Sequence, residues 1–397
     1  MAPPTPSEIL NGIAAARIAF DKNEAGSREA LIDYSRALIA ALEIPSEFVQ
    51  RTFWAEPAQS ATIRVAVDVK LFQHLQEAGS SGLSPAALSE KTGIDVVLLQ
   101  RLTRHLASMN LIILHDGAFF ATGLSNGLAA ENYQHSISFC YDVSRPSFNG
   151  FPEHFKKNGY KPPTLSGIDG PFQFAHNSEL PFFDWLVATP PHLDYFSSFM
   201  SAYRAGKPDW FDFYPVQERM IEGFDCTAGN ALLVDVGGGR GHDVATFVSK
   251  YKSHPGKIIL QDREPVIADM LAGGAEQGFE AQAHDFFTPQ PITGARAYSL
   301  HSIMHDWGDD ESVKIIENLV PALKRGYSRV LFNEIVVSEE KPTLAATNMD
   351  MMMLAHLNVR ERTEAEWISL LAKGGLKVVE IHTYPGVAES LIEAELA

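Results

Sequence analysis

The sequence predicts an α/β fold for the C-terminal part of the chain and a largely helical N-terminal part. From residue 231 onward, apolar runs of strand length alternate with helical patterns, as in a parallel sheet covered on both faces. The runs are residues 231–236, 257–260, 297–301, 328–336 and 376–381. The first run leads directly into a glycine-rich turn, and a helical pattern follows that turn.

This glycine-rich turn marks the predicted ligand site. Gly237, Gly238 and Gly239 follow the first apolar run, and a helical pattern begins after Gly241. Backbone without Cβ atoms lets a ligand come close, and the helix start offers free N–H groups and a partial positive charge. The dinucleotide fingerprint G-x-G-x-x-G fails because its sixth position is His242. A turn that only connects strand and helix is the alternative.

The segment D-V-G-G-G-x-G from Asp235 to Gly241 resembles motif I of class I S-adenosylmethionine (SAM) methyltransferases. The resemblance implies a Rossmann-like domain whose turn, with Asp235, Gly237 and Gly239, holds the amino-acid end of SAM. Asp262 follows the next apolar run, close to the roughly 20-residue spacing of a ribose-binding acid. We therefore expect SAM as the cofactor and Asp262 on its ribose.

Asp285 and Phe286 are candidates for the adenine end of the cofactor. They stand in the stretch A-Q-A-H-D-F-F. An acid followed by aromatic residues at the end of a strand can bond the adenine amino group and lie against its ring. A simple helix or turn cap by Asp285 is the alternative.

Length and composition set the broad class. The length predicts two domains, or one large domain with an appendage, and we place the boundary between a helical part over 1–122 and a second part over 123–397 with a helical insertion at about 123–225. The formal charge of −17 argues against nucleic-acid and anionic-membrane partners. The two cysteines form no metal spacing, and we expect neither a secretory signal nor a membrane span. We expect a cytoplasmic protein.

Residues 61–122 are typical of a winged helix. Ser84-Pro85 and Asp95 are helix-start signals, and Asp116-Gly117 between two apolar runs predicts a hairpin. Winged helices often bind DNA, but few basic residues lie on the second helix of this acidic chain. A scaffolding or dimerisation role is the preferred interpretation.

Two apolar segments could form either core or a substrate pocket. Residues 123–230 are rich in aromatic side chains, and Phe196 and Met200 fall on one helical face there. Residues 349–362 begin with a methionine-rich helix. Such clusters usually fill the core, but they can also line a pocket for a flat apolar substrate.

Acid–base side chains follow or interrupt three of the predicted elements. His305 and Asp306 come after the run 297–301, at the edge of the sheet where ligands bind. Glu334 lies within a strand-like apolar run, where a carboxylate needs a partner. Glu361 follows the methionine-rich helix and offers a second acid.

Together these motifs resemble the plant and fungal O-methyltransferases of the caffeate and flavonoid type. The matching elements are D-V-G-G-G, the acid after the next strand, H-D-W-x-D, N-E within a strand and L-A-H…E-R-T. The fungal secondary-metabolism branch is the most similar, from stretches such as F-F-D-W-L and H-D-F-F-T-P-Q-P. The resemblance implies a homodimer through a winged-helix-like N-terminal domain and a small-molecule substrate.

By this resemblance, His305 is the general base that takes a proton from a substrate hydroxyl as the oxygen attacks the methyl group of SAM. Glu334 and Glu361 match the acids that flank and orient the imidazole, and Asp306 completes the catalytic set. A phenol with a pKa near ~10 is a poor nucleophile at neutral pH, whereas an imidazole near ~6.5 can deprotonate it. Such a base contributes roughly 10²–10⁴-fold.

The resemblance also implies a substrate pocket. The matching positions are Phe196, Met200, Met353 and Asn358. The expected substrate is an aromatic or polyketide-type secondary metabolite with a free hydroxyl. No clustered ligand set predicts a metal.

Two histidines depart from the family pattern. His301 stands where the family often has Lys or Arg near the cofactor, and His135 lies in the aromatic stretch 133–141. The same fungal branch includes pericyclases that bind SAM without transferring methyl and use histidines and cations for dehydration and cyclisation. We therefore count His301 as cofactor-binding and His135 as substrate-binding, with a pericyclase or a non-catalytic binding protein as alternatives. The retained histidine and two acids favour methyl transfer.

Overall fold

The structure is a computed structural model that describes residues 4–165, 167–272 and 278–397. The chain forms two compact units. The first consists of Glu29–Pro162, Ile168–Gly206 and the residues before Glu24, and the second of Lys207–Ala397 with the short segments Glu24–Arg28 and Pro163–Gly167.

Up to residue 206 the chain is helical apart from one hairpin. The helices are α1 (Pro6–Asp21), α2 (Ser27–Leu42), α3 (Pro45–Gln50), α4 (Glu56–Asp68), α5 (Leu71–Ala78), α6 (Pro85–Thr92), α7 (Val96–Ser108), α8 (Gly123–Gly127), α9 (Glu131–Phe139), α10 (Arg145–Lys157), α11 (Pro171–His176), α12 (Phe182–Ala188) and α13 (His192–Ala202). The hairpin consists of β1 (Ile112–His115) and β2 (Ala118–Ala121).

The winged-helix-like arrangement predicted from the sequence is confirmed. The hydroxyl of Ser84 accepts the N–H of Ala87 at the start of α6, and a carboxylate oxygen of Asp95 accepts two N–H groups at the start of α7. Asp116 and Gly117 both have positive φ, as a two-residue hairpin turn requires. These signals depend only on neighbouring residues, which is why the sequence shows them.

The helices after the hairpin pack with the N-terminal unit. Helix α13 packs on α9, and α9 packs on α4. Arg64 of α4 forms an ion pair with Asp142 over 2.9 Å. This grouping differs from the expected boundary between residues 122 and 123, because the contacts that join these helices to α4 have no signature in the local sequence.

The second unit is an α/β structure. Its strands are β3 (Ala231–Val236), β4 (Lys257–Asp262), β5 (Glu280–Ala283), β6 (Ala297–His301), β7 (Arg329–Val337), β8 (Arg362–Thr363), β9 (Leu376–His382) and β10 (Glu389–Leu396), and its helices are α14 (Trp210–Phe213), α15 (His242–Lys250), α16 (Glu264–Ala272), α17 (Asp309–Leu319), α18 (Leu344–Leu357) and α19 (Glu364–Lys373). Across the described part of the chain, no helix has the length and apolar content that crossing a membrane requires.

The sheet is mixed, with the order β5-β4-β3-β6-β7-β10-β9 and β8 paired to β7. The strands from β5 to β7 are parallel, but β10 pairs antiparallel with both β7 and β9. The expectation of a wholly parallel sheet was therefore wrong at this edge, and β10 was not predicted. Strand β10 carries Glu393, a fully buried carboxylate that binds Arg329, and this charge hides the apolar pattern of a strand.

Strand β3 lies at the centre of the unit. Its residues contribute to two buried apolar clusters, one with Tyr298 and Trp367 and one with Trp210 and Phe247, so both faces of the sheet are covered. The chain leaves β3 toward β4 on one side and returns to β6 on the other. In such sheets, ligands bind at this switch point, beyond the carboxyl ends of the strands.

Candidate active site

The turn after β3 requires glycine for two different reasons. Gly237, Gly239 and Gly241 have φ of 76°, 60° and 79°, in the left-handed region that side chains disfavour. Gly238 has no such angle, but a Cβ atom there would lie 2.1 Å from Oδ2 of Asp235. The backbone of the turn therefore lies directly on the Asp235 carboxyl group.

Asp235 is a buried acid at the predicted cofactor turn. Its Oδ1 accepts a hydrogen bond from the Ser299 hydroxyl over 2.8 Å, and its Oδ2 has no hydrogen-bond partner among the described residues. Burial, with the nearby charge of Asp243, raises the pKa of Asp235 to about 7. A buried carboxyl oxygen without a partner can receive a polar or cationic ligand group.

Asp262 ends β4 beside the same turn. Its Oδ2 accepts the backbone N–H of Gly239 over 2.8 Å, and its Oδ1 accepts the N–H of Arg263 over 2.7 Å. These bonds fix the carboxylate at the glycine turn. The predicted ribose contact requires such a placement.

Asp285 and Phe286 follow β5. Oδ1 of Asp285 accepts the N–H of Phe287 over 2.9 Å, so this acid caps a turn, as the alternative interpretation proposed. The Phe286 ring lies 5.1 Å from the Phe287 ring and 6.1 Å from the Trp307 ring, and one of its carbons is 3.6 Å from the Cβ position of Gly237. Phe286 thus lies beside the glycine turn, and the adenine contact stays a prediction.

His301 ends β6 and contacts the first turn of α15. Its Nδ1 lies 2.5 Å from Oδ2 of Asp243, and both side chains are mostly buried. Sequence reasoning treated Asp243 only as part of a helix start. Its position two residues after the glycine turn was the available signal.

His305 lies in a short 3₁₀ turn, Met304–Asp306, between β6 and α17. The imidazole is buried, and its Nδ1 is 2.8 Å from Oε1 of Glu361. Because a carboxylate can only accept, Nδ1 carries a proton and Nε2 is the nitrogen that can act as a base. Nε2 lies 3.6 Å from Oδ1 of Asp306. The structure thus brings His305, Glu361 and Asp306 together.

Glu334, on β7, holds the backbone of this turn rather than the ring. Its Oε1 accepts the N–H groups of Ile303 and Met304 over 2.8 and 2.7 Å. Its Oε2 is buried and has no hydrogen-bond partner among the described residues. The resemblance implied that both acids flank and orient the imidazole, but of the two only Glu361 bonds to it.

The carboxylates around His305 control its protonation. Burial alone lowers the pKa of His305, but three nearby carboxylates, Asp306 foremost, outweigh burial and raise the pKa to about 10. Burial raises the pKa of Glu334 to about 7 and that of Asp306 to about 6, and the charge of His305 opposes both shifts. The imidazole is therefore a strong proton acceptor.

Three of these groups also have the spacing of a metal site. One ligand atom each from His305, Glu334 and Glu361 lies within 4.8 Å of the others. However, Oε1 of Glu334 already accepts two backbone N–H groups, and Oε1 of Glu361 accepts from the imidazole. The absence of a metal stays a prediction.

Two predicted substrate residues lie in the second unit. Met353 is buried on α18. Asn358 follows α18 with a positive φ of 59°, and its Nδ2 donates to the carbonyl of Gly167 over 2.8 Å. Asn358 thus ends the helix and anchors a loop, while its buried Oδ1 has no hydrogen-bond partner among the described residues.

The other three predicted substrate residues lie in the first unit. Nδ1 of His135 is 2.9 Å from the Ser198 hydroxyl. Phe196 packs edge-on against the fully buried Phe139, with ring centroids 5.5 Å apart, whereas Met200 is exposed. The aromatic cluster is therefore partly core, and His135 lies at its edge.

One residue that sequence reasoning missed supports Glu361 directly. Oδ1 of Asp350, on α18, accepts the backbone N–H of Glu361 over 2.9 Å. No sequence signal identifies Asp350, because it meets Glu361 only where the chain turns back after α18.

Comparisons with known proteins identify the family. Residues 210–377 match the O-methyltransferase domain, and residues 57–131 match the O-methyltransferase dimerisation domain. The O-methyltransferase mpaG of Penicillium roqueforti is 63% identical to this chain, and the match covers 98% of each of the two chains. That of Penicillium brevicompactum is 59% identical, with 100% of both chains covered. This chain belongs to the O-methyltransferase family.

Solved structures have the same fold as this O-methyltransferase. The LepI complex with SAM has a TM-score of 0.89 and 27% identity, and the match covers 99% of this chain and 100% of that chain. A structure described as a pericyclic reaction enzyme also has a TM-score of 0.89 and 27% identity, with 97% and 98% of the two chains covered.

The cofactor of this O-methyltransferase is SAM, and the residues at the glycine turn fit it. Gly239 leaves open space, since a Cβ atom there would meet nothing within 4 Å. Asp235 places an unpartnered buried oxygen under the turn, and Asp262 presents a fixed carboxylate beside it. Polar groups are thus available for the ammonium and ribose ends of the cofactor.

Proposed function

We propose that this O-methyltransferase methylates a hydroxyl of an aromatic or polyketide-type small molecule, with His305 as the general base. The observation that carries the proposal is the 2.8 Å contact between Nδ1 of His305 and Glu361. Because this contact occupies Nδ1, it leaves Nε2 as the nitrogen that can accept a proton. A third group, Glu334, fixes the turn that carries the ring.

The proposed reaction needs one proton transfer. The substrate hydroxyl gives its proton to Nε2 of His305 as its oxygen forms a bond to the methyl carbon. SAM supplies that methyl group on a positively charged sulfur, and S-adenosylhomocysteine (SAH) leaves. Glu361 and Asp306 then face opposite nitrogens of the imidazolium, so both stabilise the charge that develops on the ring.

We propose Asp235, Gly237, Gly239 and Asp262 as the cofactor-binding residues. Asp235 and the two glycines would hold the amino-acid end, and Asp262 the ribose. Asp285, Phe286 and His301 are proposed for the remaining cofactor contacts. For the substrate we propose His135, Phe196 and Met200 in the first unit and Met353 and Asn358 in the second.

We further propose a homodimer that uses the N-terminal helices. Several large apolar side chains between α2 and α4 are exposed: Leu42, Ile44, Phe48, Phe53 and Trp54. Both Phe53 and Trp54 are 66% exposed. Such a patch is typical of a protein interface. Light scattering should give the mass of a dimer for the wild type and of a monomer for F53E/W54E.

Methyl transfer tests the proposal. The protein is incubated with SAM and a panel of phenols such as orcinol and methyl orsellinate, and both SAH and the methyl ether are measured. We expect equal amounts of both with the wild type. H305A should lose roughly 10²–10⁴-fold in rate while its affinity for SAH stays unchanged. Undiminished transfer by H305A would exclude His305 as the base.

A pericyclase is the second candidate, and the fold shared with a pericyclic reaction enzyme supports it. The two reactions differ in the fate of SAM, which methyl transfer converts to SAH and a pericyclic reaction leaves unchanged. A cyclised or dehydrated product without SAH would support the pericyclase, whereas product and SAH in equal amounts support the transferase.

A further inference from the structure

Arg362 is a buried cation that the proposed reaction does not use. Its side chain is only 2% exposed. Its Nη1 donates to the carbonyl of Met304 over 2.8 Å, and its Nη2 donates to the carbonyl of Trp307 over 2.8 Å. These two carbonyls flank His305 in the chain. The guanidinium therefore holds the backbone on either side of the proposed base.

The remaining contacts fix the guanidinium itself. Its Nε donates to Oδ1 of Asp309 over 3.0 Å, and Nη2 also donates to the Ser312 hydroxyl over 3.2 Å. The group lies over the Trp367 ring at 5.5 Å, and the indole N–H of Trp367 donates to the carbonyl of Ile335 on β7 over 3.1 Å. Arg362 is thus tied to the start of α17 and, through Trp367, to the sheet.

The turn around His305 is held mainly from outside. Its internal bonds are long, from the N–H of Trp307 to the carbonyl of Met304 at 3.3 Å and from the N–H of Asp306 to that of Ile303 at 3.2 Å. Glu334 accepts the N–H groups at the start of the turn, and Arg362 donates to its carbonyls. The Glu334 carboxylate thus holds the N–H groups of this short backbone segment, and the Arg362 guanidinium holds its carbonyl groups.

Glu361 and Arg362 act on the same histidine from adjacent positions. Glu361 bonds to the imidazole, and Arg362 bonds to the backbone that carries it. Strand β8 begins at Arg362 and pairs with β7 at Val336, two residues after Glu334. Glu334 and Arg362 therefore lie on a pair of neighbouring strands, and Glu361 directly precedes one of them.

We propose that Arg362 is a positioning residue that keeps the His305 imidazole in register with Glu361. The inference rests on the proposed role of His305 and deepens it. Lysine cannot replace this arginine, because one ammonium group cannot donate to two separated carbonyls in a fixed fork.

The test uses the protein with SAH bound and needs no methyl acceptor, so it is independent of the substrate class. Nuclear magnetic resonance of ¹⁵N-histidine-labelled protein follows the Nδ1 proton of His305, identified by its absence in H305Q. We expect R362A to lose this proton signal to rapid exchange with water while SAH still binds. Guanidinium ion at non-denaturing concentration should restore the signal.

The matched control is R360A. Arg360 is an exposed arginine two positions earlier that pairs with Glu366, so R360A should keep the signal. If R362A does not fold, R362K decides the question, and it should show faster exchange than the wild type. A wild-type signal in a folded R362A or R362K, or a lost signal that guanidinium does not restore, would overturn the inference. Failure of the base role itself shows separately, as undiminished methyl transfer by H305A.

Discussion

The imidazole of His305 and the carboxylate of Glu361 lie 2.8 Å apart, although 56 positions separate the two residues in the chain. The acid is buried, so the bond is shielded from bulk water. The bond fixes the tautomer of the ring, and the negative charge stabilises the imidazolium that forms on proton transfer.

Replacing Glu361 with glutamine should slow methyl transfer. The amide oxygen in E361Q can still accept from Nδ1, but it no longer offers a charge to the imidazolium. Since charge-assisted hydrogen bonds contribute about 1.5–3 kcal/mol, we expect the limiting kcat at high pH, where His305 is neutral in both proteins, to fall by roughly tenfold to a hundredfold. The matched control is E364Q, an exposed acid three positions later, and its kcat should not change. Equal rates for E361Q and the wild type would contradict the role of the charge.

The rate of methyl transfer should rise with pH. The carboxylates that outweigh burial raise the pKa of His305, so the protonated, inactive form dominates at neutral pH. We expect kcat/KM for the phenol, at saturating SAM, to increase from about pH 6 toward about pH 10. In E361Q one of these carboxylates is lost, so the rising limb should move to lower pH. A profile that falls with pH, or a limb that stays in place in E361Q, would count against this.

Loss of the Asp262 charge should weaken cofactor binding. A carboxylate that accepts from ribose hydroxyls contributes about 1.5–3 kcal/mol, which corresponds to roughly a tenfold to hundredfold increase in the Kd for SAH in D262N. The control is D269N, because Asp269 pairs with Arg240 near the same turn but is exposed. Calorimetry with SAH measures both. An unchanged Kd in D262N would show that the ribose is bound elsewhere.

Alanine substitutions should distinguish the two reasons for glycine in the turn, lack of space at position 238 and positive φ at position 239. In G238A the new Cβ atom would meet Asp235 at 2.1 Å and Leu260 at 2.6 Å, so we expect a loss of about 1–3 kcal/mol in the free energy of unfolding. In G239A the space is open and only the φ of 60° is unfavourable, which costs about 1–2 kcal/mol. Urea unfolding measures both values. A larger loss in G239A than in G238A would contradict the steric account.

Removal of divalent metals should leave the activity intact. His305, Glu334 and Glu361 could in principle hold an ion, but each acid already uses one oxygen to fix the turn or the ring. We therefore expect the same kcat before and after dialysis against EDTA, and no activation by added Mg²⁺ or Zn²⁺. A loss that Zn²⁺ restores would make this set a metal site.

The sequence predicted much of the site because its elements are local. A glycine turn between a strand and a helix places Asp235 and Asp262 at one edge of the sheet, and the structure confirms that placement. The same holds for His305, which follows β6 at this edge. Strand ends meet there whatever the rest of the fold does.

Partnerships between distant residues could not be predicted. The sequence stretch E-R-T drew attention to Glu361, but nothing in it showed that Arg362 donates to carbonyls on a turn more than fifty positions away. The burial of Glu393 on β10 likewise could not be predicted, because its partners Arg219 and Arg329 come from other parts of the unit. Paired burial of charge is a property of the folded chain.

The Asp235 carboxyl group beneath Gly238 restricts which substitutions evolution can accept at the glycine turn. A side chain at position 238 meets the Asp235 carboxyl group first, at 2.1 Å, so a smaller residue at position 235 relieves the largest part of the clash and the two sites should vary together. The double variant D235A/G238A should therefore be more stable than G238A alone, even though it discards the acid. A lineage that acquired both changes would keep its fold and surrender a cofactor contact, which is one route from an enzyme to an inactive binding protein.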